Sequence, residues 1–149
     1  MNTDTTSERL ANLTFNLLAR CQEKEALLAE EHSLFPAEFK CLRLLEHDES
    51  LNNKEIAKRM NLSPSRLTRI VDGLVKKGYM QRMINPDDRR NMKLSLSRRG
   101  KMLTTKLEKA YIDIHKEILL DIETSQHEPL IVAMENLLRA IETWLKKPD

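Results

Sequence analysis

The stretch that decides the fold is SPSRLTRIVDGLVKKGYMQR, Ser63 to Arg82. Ser63-Pro64 opens a helix: serine can cap free backbone N–H groups, and proline at the first helical position gives up no hydrogen bond. Gly78 closes the helix just past Lys76 and Lys77, whose charges suit the negative end of its dipole. On a wheel of about 100° per residue, Leu67, Ile70, Val71, Leu74 and Val75 fall in one arc. Ser65, Thr68, Arg69, Asp72 and Lys76 lie opposite, with Arg66 and Gly73 at the edge. One face packs and the other offers hydroxyl and guanidinium groups. Duplex DNA asks for that combination, because arginine reaches guanine acceptors bidentately while Ser and Thr contact bases or phosphates. Asp72 would repel phosphate, so it is expected to pair with Arg69 or Lys76, three and four residues away.

Upstream, a short helix from about Asn53 to Met60 buries Ile56, Ala57 and Met60. Ala57 is small where two helices would cross, Asn61 tolerates the left-handed turn between them, and Leu62 plugs the angle. Residues 48–52 read as a polar turn. Earlier still, Pro36 begins a helix ending near His47, with Phe39, Leu42, Leu44 and Leu45 turned inward. A first helix from Ser7 to about Glu31 repeats Leu10, Leu13, Leu17, Leu18, Cys21 and Leu28 at a period near 3.6. Downstream come two short strands, Tyr79–Ile84 and Met92–Leu96, joined by NPDDRRN, a turn-forming segment with a basic tip. Ser97 caps a long helix to about Ile122, and Pro129 starts the last one, with Leu130, Met134, Leu137, Ile141 and Trp144 at heptad-like spacing.

The 149 residues suit one domain, and their net charge of +2 is unevenly spread. Residues 51–101 hold 14 Lys+Arg against 4 Asp+Glu, a net of +10. Residues 1–50 hold 5 against 10, a net of −5, and residues 102–149 hold 6 against 9, a net of −3. A basic centre between acidic ends fits a polyanion partner, though a solvated basic face would have the same composition. Arrangement decides between them. A recognition-type helix is followed directly by a hairpin tipped with Asp87-Asp88-Arg89-Arg90, and a narrow minor groove attracts an inserted arginine.

The hairpin continues as Asp88-Arg89-Arg90-Asn91-Met92-Lys93-Leu94-Ser95-Leu96-Ser97-Arg98-Arg99-Gly100. It fits the pattern D-x-R-x-x-x-[hydrophobic]-x-L-[ST]-x-x-G. Residues 51–100 thereby resemble the winged helix–turn–helix of the multiple antibiotic resistance regulator (MarR) family, and the flanking helices match that family's layout. Ser97 stands where the family more often has threonine. The resemblance implies a mainly α fold: a dimerisation helix in 1–35, a winged DNA-binding domain in 36–100, and long dimerisation helices in 101–149. It implies that Ser65, Arg66, Thr68 and Arg69 enter the major groove, with Ser63 near phosphate. Arg90 would be the minor-groove residue, steadied by Asp88, with Arg89 nearby. Asn53 and Lys54 would meet the DNA backbone at a positive helix end. A homodimer would form through Leu10, Leu13, Leu17, Leu137, Ile141, Trp144 and Leu145. The implied function is a repressor binding a pseudo-palindromic operator and released by a small apolar or aromatic effector.

Other classes have weaker support. There is no G-x-S-x-G, H-E-x-x-H or C-x-x-C, so neither catalysis nor a cofactor is expected. Some relatives sense zinc, and Cys21, His32, Glu38, Cys41 and His115 are the residues able to supply ligands, but at no diagnostic spacing. Others sense oxidants through cysteine and tyrosine, yet Tyr79 and Tyr111 are distant in sequence from Cys21 and Cys41. A winged domain serving as a protein–protein module is the remaining alternative. Met1-Asn2-Thr3-Asp4 carries neither a basic start nor an apolar signal region, and no apolar run could span a bilayer, so a cytoplasmic protein is expected.

Overall fold

The computed structural model describes residues 3–85 and 87–148; the side chains of Thr3, Asn85, Arg89, Arg90 and Asn91 are outside the description. The chain divides into two compact units, Met1–Lys109 and Ala110–Asp149.

In the first unit, α1 (Thr3–Glu31) precedes α2 (Pro36–Leu44), β1 (Leu51–Asn52), α3 (Asn53–Met60) and α4 (Pro64–Lys76). The strands β2 (Met80–Asn85) and β3 (Asp88–Leu96) follow, then the first half of α5 (Arg98–Leu120). The sheet order is β1-β3-β2, with both pairings antiparallel. Leu51 lies opposite Leu94, and Met80 opposite Leu96, so the wing is stitched to the segment before α3. Leu51 and Asn52, the last two residues of the expected polar turn, thus supply a third strand. The second wing strand also begins at Asp88 rather than Met92, carrying the backbone ladder to the hairpin tip.

The turns follow from local chemistry. Asn52 caps α3 by accepting from the Glu55 N–H at 2.8 Å, and Ser63 caps α4 by accepting from Arg66 N–H at 3.3 Å. Asn61 adopts the expected left-handed conformation, φ 56°, and the Leu62 N–H closes on Ala57 O at 2.9 Å. Gly78, at φ 85°, ends α4 where a side chain would be strained. Ser97 serves the motif twice: its hydroxyl donates to Gly78 O at 2.6 Å and accepts from Gly100 N–H at 3.0 Å. Gly100 is needed because an added Cβ would stand 1.9 Å from Tyr79 O.

The core of this unit is apolar and shared among its elements. Phe39 and Leu42 from α2, Ile56 and Met60 from α3, Leu67, Val71 and Leu74 from α4, and Leu94 and Leu96 from β3 are all buried. At roughly 1.5–3 kcal/mol for each large side chain removed from water, this cluster holds the helix pair and the wing as one piece.

In the second unit, the end of α5 leads through a 3-10 turn (Thr124–Gln126) to α6 (His127–Leu145). The last helix begins two residues before Pro129, which therefore sits inside its first turn, where its missing N–H costs nothing. The His127 Nε2–H donates to Leu119 O at 3.0 Å and Ile122 O at 2.8 Å, tying α6 to the end of α5. No residue of α6 is buried. No helix among the described residues is long and apolar enough to cross a membrane.

Candidate nucleic-acid interface

The polar side of α4 is built as its periodicity requires. Leu67, Val71 and Leu74 face the core, while Ser65, Arg66, Thr68, Arg69, Asp72 and Lys76 are exposed. Among the described residues, nothing forms an ion pair or hydrogen bond with the guanidinium group of Arg66 or Arg69. Their guanidinium groups are therefore available to an external acceptor. Ser63 and Ser65 stand at the entrance to the helix with their hydroxyls 3.3 Å apart.

Asp72 pairs with neither Arg69 nor Lys76. Its partner is Arg82 on β2, which neutralises the carboxylate and links the recognition-type helix to the wing. Sequence spacing favoured a neighbour on the same helix; the fold supplied one ten residues away. Lys54 is exposed on the first turn of α3. Asn53, beside it, is half-buried and points its amide at the Thr68 hydroxyl, 3.0 Å away. At the wing tip, Asp88 is exposed, and the side chains of Arg89 and Arg90 lie outside the described residues.

A second device, absent from the sequence reading, fixes the other end of α4. Glu38 on α2 is 3% exposed, and its Oε1 accepts from Lys77 Nζ at 2.6 Å and from Phe35 N–H at 2.8 Å. Lys77 also donates to Ser33 O at 3.0 Å and lies over the Phe35 ring, 4.8 Å from its centroid. Gly73 makes this possible: a Cβ there would stand 2.7 Å from Glu38 Oε2. A glycine inside an otherwise regular helix was the available signal, since it costs about 1 kcal/mol against alanine unless something must approach. Arg59 makes a comparable bridge on α3, donating to both carboxylate oxygens of Glu49 at 2.6 and 2.8 Å and to Leu44 O at 3.1 Å.

The zinc and redox readings meet different surroundings. No three His, Cys, Asp or Glu side chains among the described residues group as metal ligands. His32 is engaged with Leu28 O, and Glu38 with Lys77. Cys41 is fully buried, and desolvation, aided by the nearby Glu38 charge, pushes its thiol up to about 12. It is protonated at neutral pH and therefore a poor nucleophile. Cys21 is half-buried on α1, with Lys24 Nζ 3.8 Å from its sulfur.

Residues 34–92 match the profile described as the MarR family. The HTH-type transcriptional regulator SarZ of Staphylococcus haemolyticus is 28% identical over 122 residues, covering 82% of this chain and 80% of that protein. SarZ of Staphylococcus aureus (strain USA300) is 31% identical over 88 residues, 59% of this chain and 60% of that one. Among solved structures, the YusO protein from Bacillus subtilis superposes with a TM-score of 0.74 at 24% identity, covering 94% of this chain and 99% of its own. Wild-type MarR from E. coli, in its apo form, gives 0.73 at 22% identity, covering 89% and 95%. Those two likenesses are of fold.

Proposed function

We propose, from the match of residues 34–92 to the MarR family profile, that this chain is a non-enzymatic transcription repressor of that family, cytoplasmic, binding a pseudo-palindromic operator as a homodimer. The observation that carries the reading is the α4 surface. Ser65, Arg66, Thr68 and Arg69 form an exposed face whose guanidinium groups are uncommitted, on a helix locked to a wing by Asp72 and Arg82. In this reading Ser65, Arg66, Thr68 and Arg69 enter the major groove, and Ser63, Asn53 and Lys54 approach the phosphates. Arg90, with Asp88 and Arg89 beside it, occupies the minor groove.

The DNA-binding domain is then residues 36–100, and residues 1–35 and 101–149 hold two copies together. Two recognition helices about 34 Å apart read successive major grooves, which multiplies affinity and specificity. Leu10, Leu13 and Leu17 of α1 are 45%, 64% and 45% exposed, and Ile141, Trp144 and Leu145 of α6 are 43%, 67% and 67% exposed. Leu137 is half-buried. Such surface favours a second copy as its cover. A small apolar or aromatic effector releases the operator by changing the spacing between the two recognition helices. A cleft of ≈ 410 Å³ lined by Leu42, Leu45, His47, Thr104 and Leu107, among others, is of a size to receive it.

A gel-shift titration at several salt concentrations tests the interface. Wild-type affinity falls steeply with salt, as phosphate contacts require. Arg90→Ala weakens binding by about 1–3 kcal/mol and flattens the salt slope by about one ion, while Arg69→Ala costs about 1–3 kcal/mol and relaxes base preference. If both variants bind like wild type, or salt has no effect, the interface is wrong and a protein-binding module becomes the better account.

A further inference from the structure

Thr68 is exposed on the α4 face, yet its hydroxyl proton is already in use. It donates to Pro64 O at 2.9 Å, and a carbonyl oxygen can only accept. With the proton committed there, the group 3.0 Å away on Asn53 must be the amide N–H₂, donating to the Thr68 oxygen. Ser63 and Ser65 differ: their hydroxyls face each other at 3.3 Å and retain at least one proton between them for an outside acceptor.

A threonine whose donor is used cannot donate to a phosphate oxygen, to guanine O6 and N7, or to thymine O4. What it still offers to the outside is one acceptor lone pair, crowded by the Asn53 amide, and its methyl group. In the major groove the matching feature is the C5-methyl of thymine, which side-chain methyls recognise by apolar contact. We propose that Thr68 is a specificity-determining residue that reads thymine through its methyl group, and that Asn53 is a positioning residue that holds the hydroxyl turned back on the helix. This rests on the operator-reading role of α4 and names what one residue of that face selects. It also separates Thr68 from Arg69 beside it, whose free donors suit guanine.

The test begins with a pool of random 30-base-pair duplexes selected on the wild-type protein, and the enriched duplex is the probe. The probe is then remade with deoxyuridine in place of each thymine in turn, which removes only the C5-methyl. At one symmetric pair of positions, the replacement lowers wild-type affinity by roughly fourfold per half-site, the worth of about one buried methyl-sized group. Thr68→Val keeps the methyl and discriminates as wild type does. Thr68→Ser keeps the hydroxyl, loses the methyl, and binds the thymine and uracil probes alike. Asn53→Ala, which removes one of the two bonds that hold the hydroxyl back, narrows the thymine preference while Thr68→Val in the same background restores it. If Thr68→Ser discriminates and Thr68→Val does not, the hydroxyl is the reading group and the proposal is overturned. If no uracil position matters to wild type, it is likewise overturned while operator binding stands. If no duplex is enriched, the operator reading itself fails and takes this one with it.

Discussion

The helices α4 and α6 both carry large apolar residues and use them in opposite ways. Leu67, Val71 and Leu74 on α4 are at most 1% exposed, each covered by its own domain. On α6, Leu130, Met134, Leu138, Ile141, Trp144 and Leu145 are all at least 36% exposed, and no residue is buried. The winged region has enough partners within one chain to close a core. The last helix is apolar on more sides than one chain covers. The first region is therefore expected to have a stability that belongs to the monomer, and the second one that depends on how much protein is present.

Two variants separate those behaviours, beginning with the largest effect. Phe39→Ala removes a fully buried ring and should lower stability by about 3–5 kcal/mol at any protein concentration, measured by denaturant titration. Ile141→Lys with Trp144→Lys should leave the winged core folded, halve the mass seen by sedimentation, and reduce operator affinity by about two orders of magnitude, since one half-site remains. The melting temperature of wild type should rise with concentration and that of the lysine variant should not. A lysine variant that still sediments as a dimer would break the contrast.

Lys77→Met sharpens the comparison within the winged region. Glu38 would remain buried without its ammonium partner, and an unpaired buried charge is costly. Lys77 is itself a third exposed, so the expected loss is about 2–3 kcal/mol, below that of a fully buried pair. Lys77→Arg should recover most of it, whereas a loss under about 0.5 kcal/mol on Lys77→Met, the range of ordinary surface changes, would mean that α4 is held by packing alone.

How much of this was legible in the sequence follows the same division. The α4 face could be read because burial there is decided by a 3.6-residue period, and Leu67, Val71 and Leu74 fell where the wheel placed them. The caps at Ser63 and Ser97 and the left-handed turn at Asn61 were legible because they are local. What stayed hidden joins residues distant along the chain: Glu38 with Lys77, Asp72 with Arg82, and Leu51 with Leu94 across the third strand. Asp72 shows the reason. Helical spacing offers two nearby cations, and only the turn of the chain from α4 into β2 brings a third closer. The site reading met the same limit, since Thr68 looks like any groove-facing hydroxyl until Asn53 and Pro64 are seen to occupy it.

The smallest effect concerns the bridge between Glu49 and Arg59, and its diagnostic is pH. The guanidinium donates to both carboxylate oxygens, and that bond, opposed in part by desolvation and aided by the Glu46 N–H, holds the Glu49 carboxyl below its ordinary value of 4.5. A carboxyl with a lowered native pKa binds fewer protons folded than unfolded, so its contribution rises with pH across the interval between the two values. The contribution is complete above 4.5 and disappears as pH falls through the lower native value. Glu49→Gln should therefore melt slightly below wild type at neutral pH, with the gap closing on acidification through the carboxylate range. Exposed pairs are weak, so the gap is expected to be the least of those considered. Because both partners lie within the winged region, the gap should not change with protein concentration, unlike any effect of the α6 lysines. A gap that widened on acidification would remove the ion pair as its source, and one that varied with concentration would place Arg59 at the surface between copies.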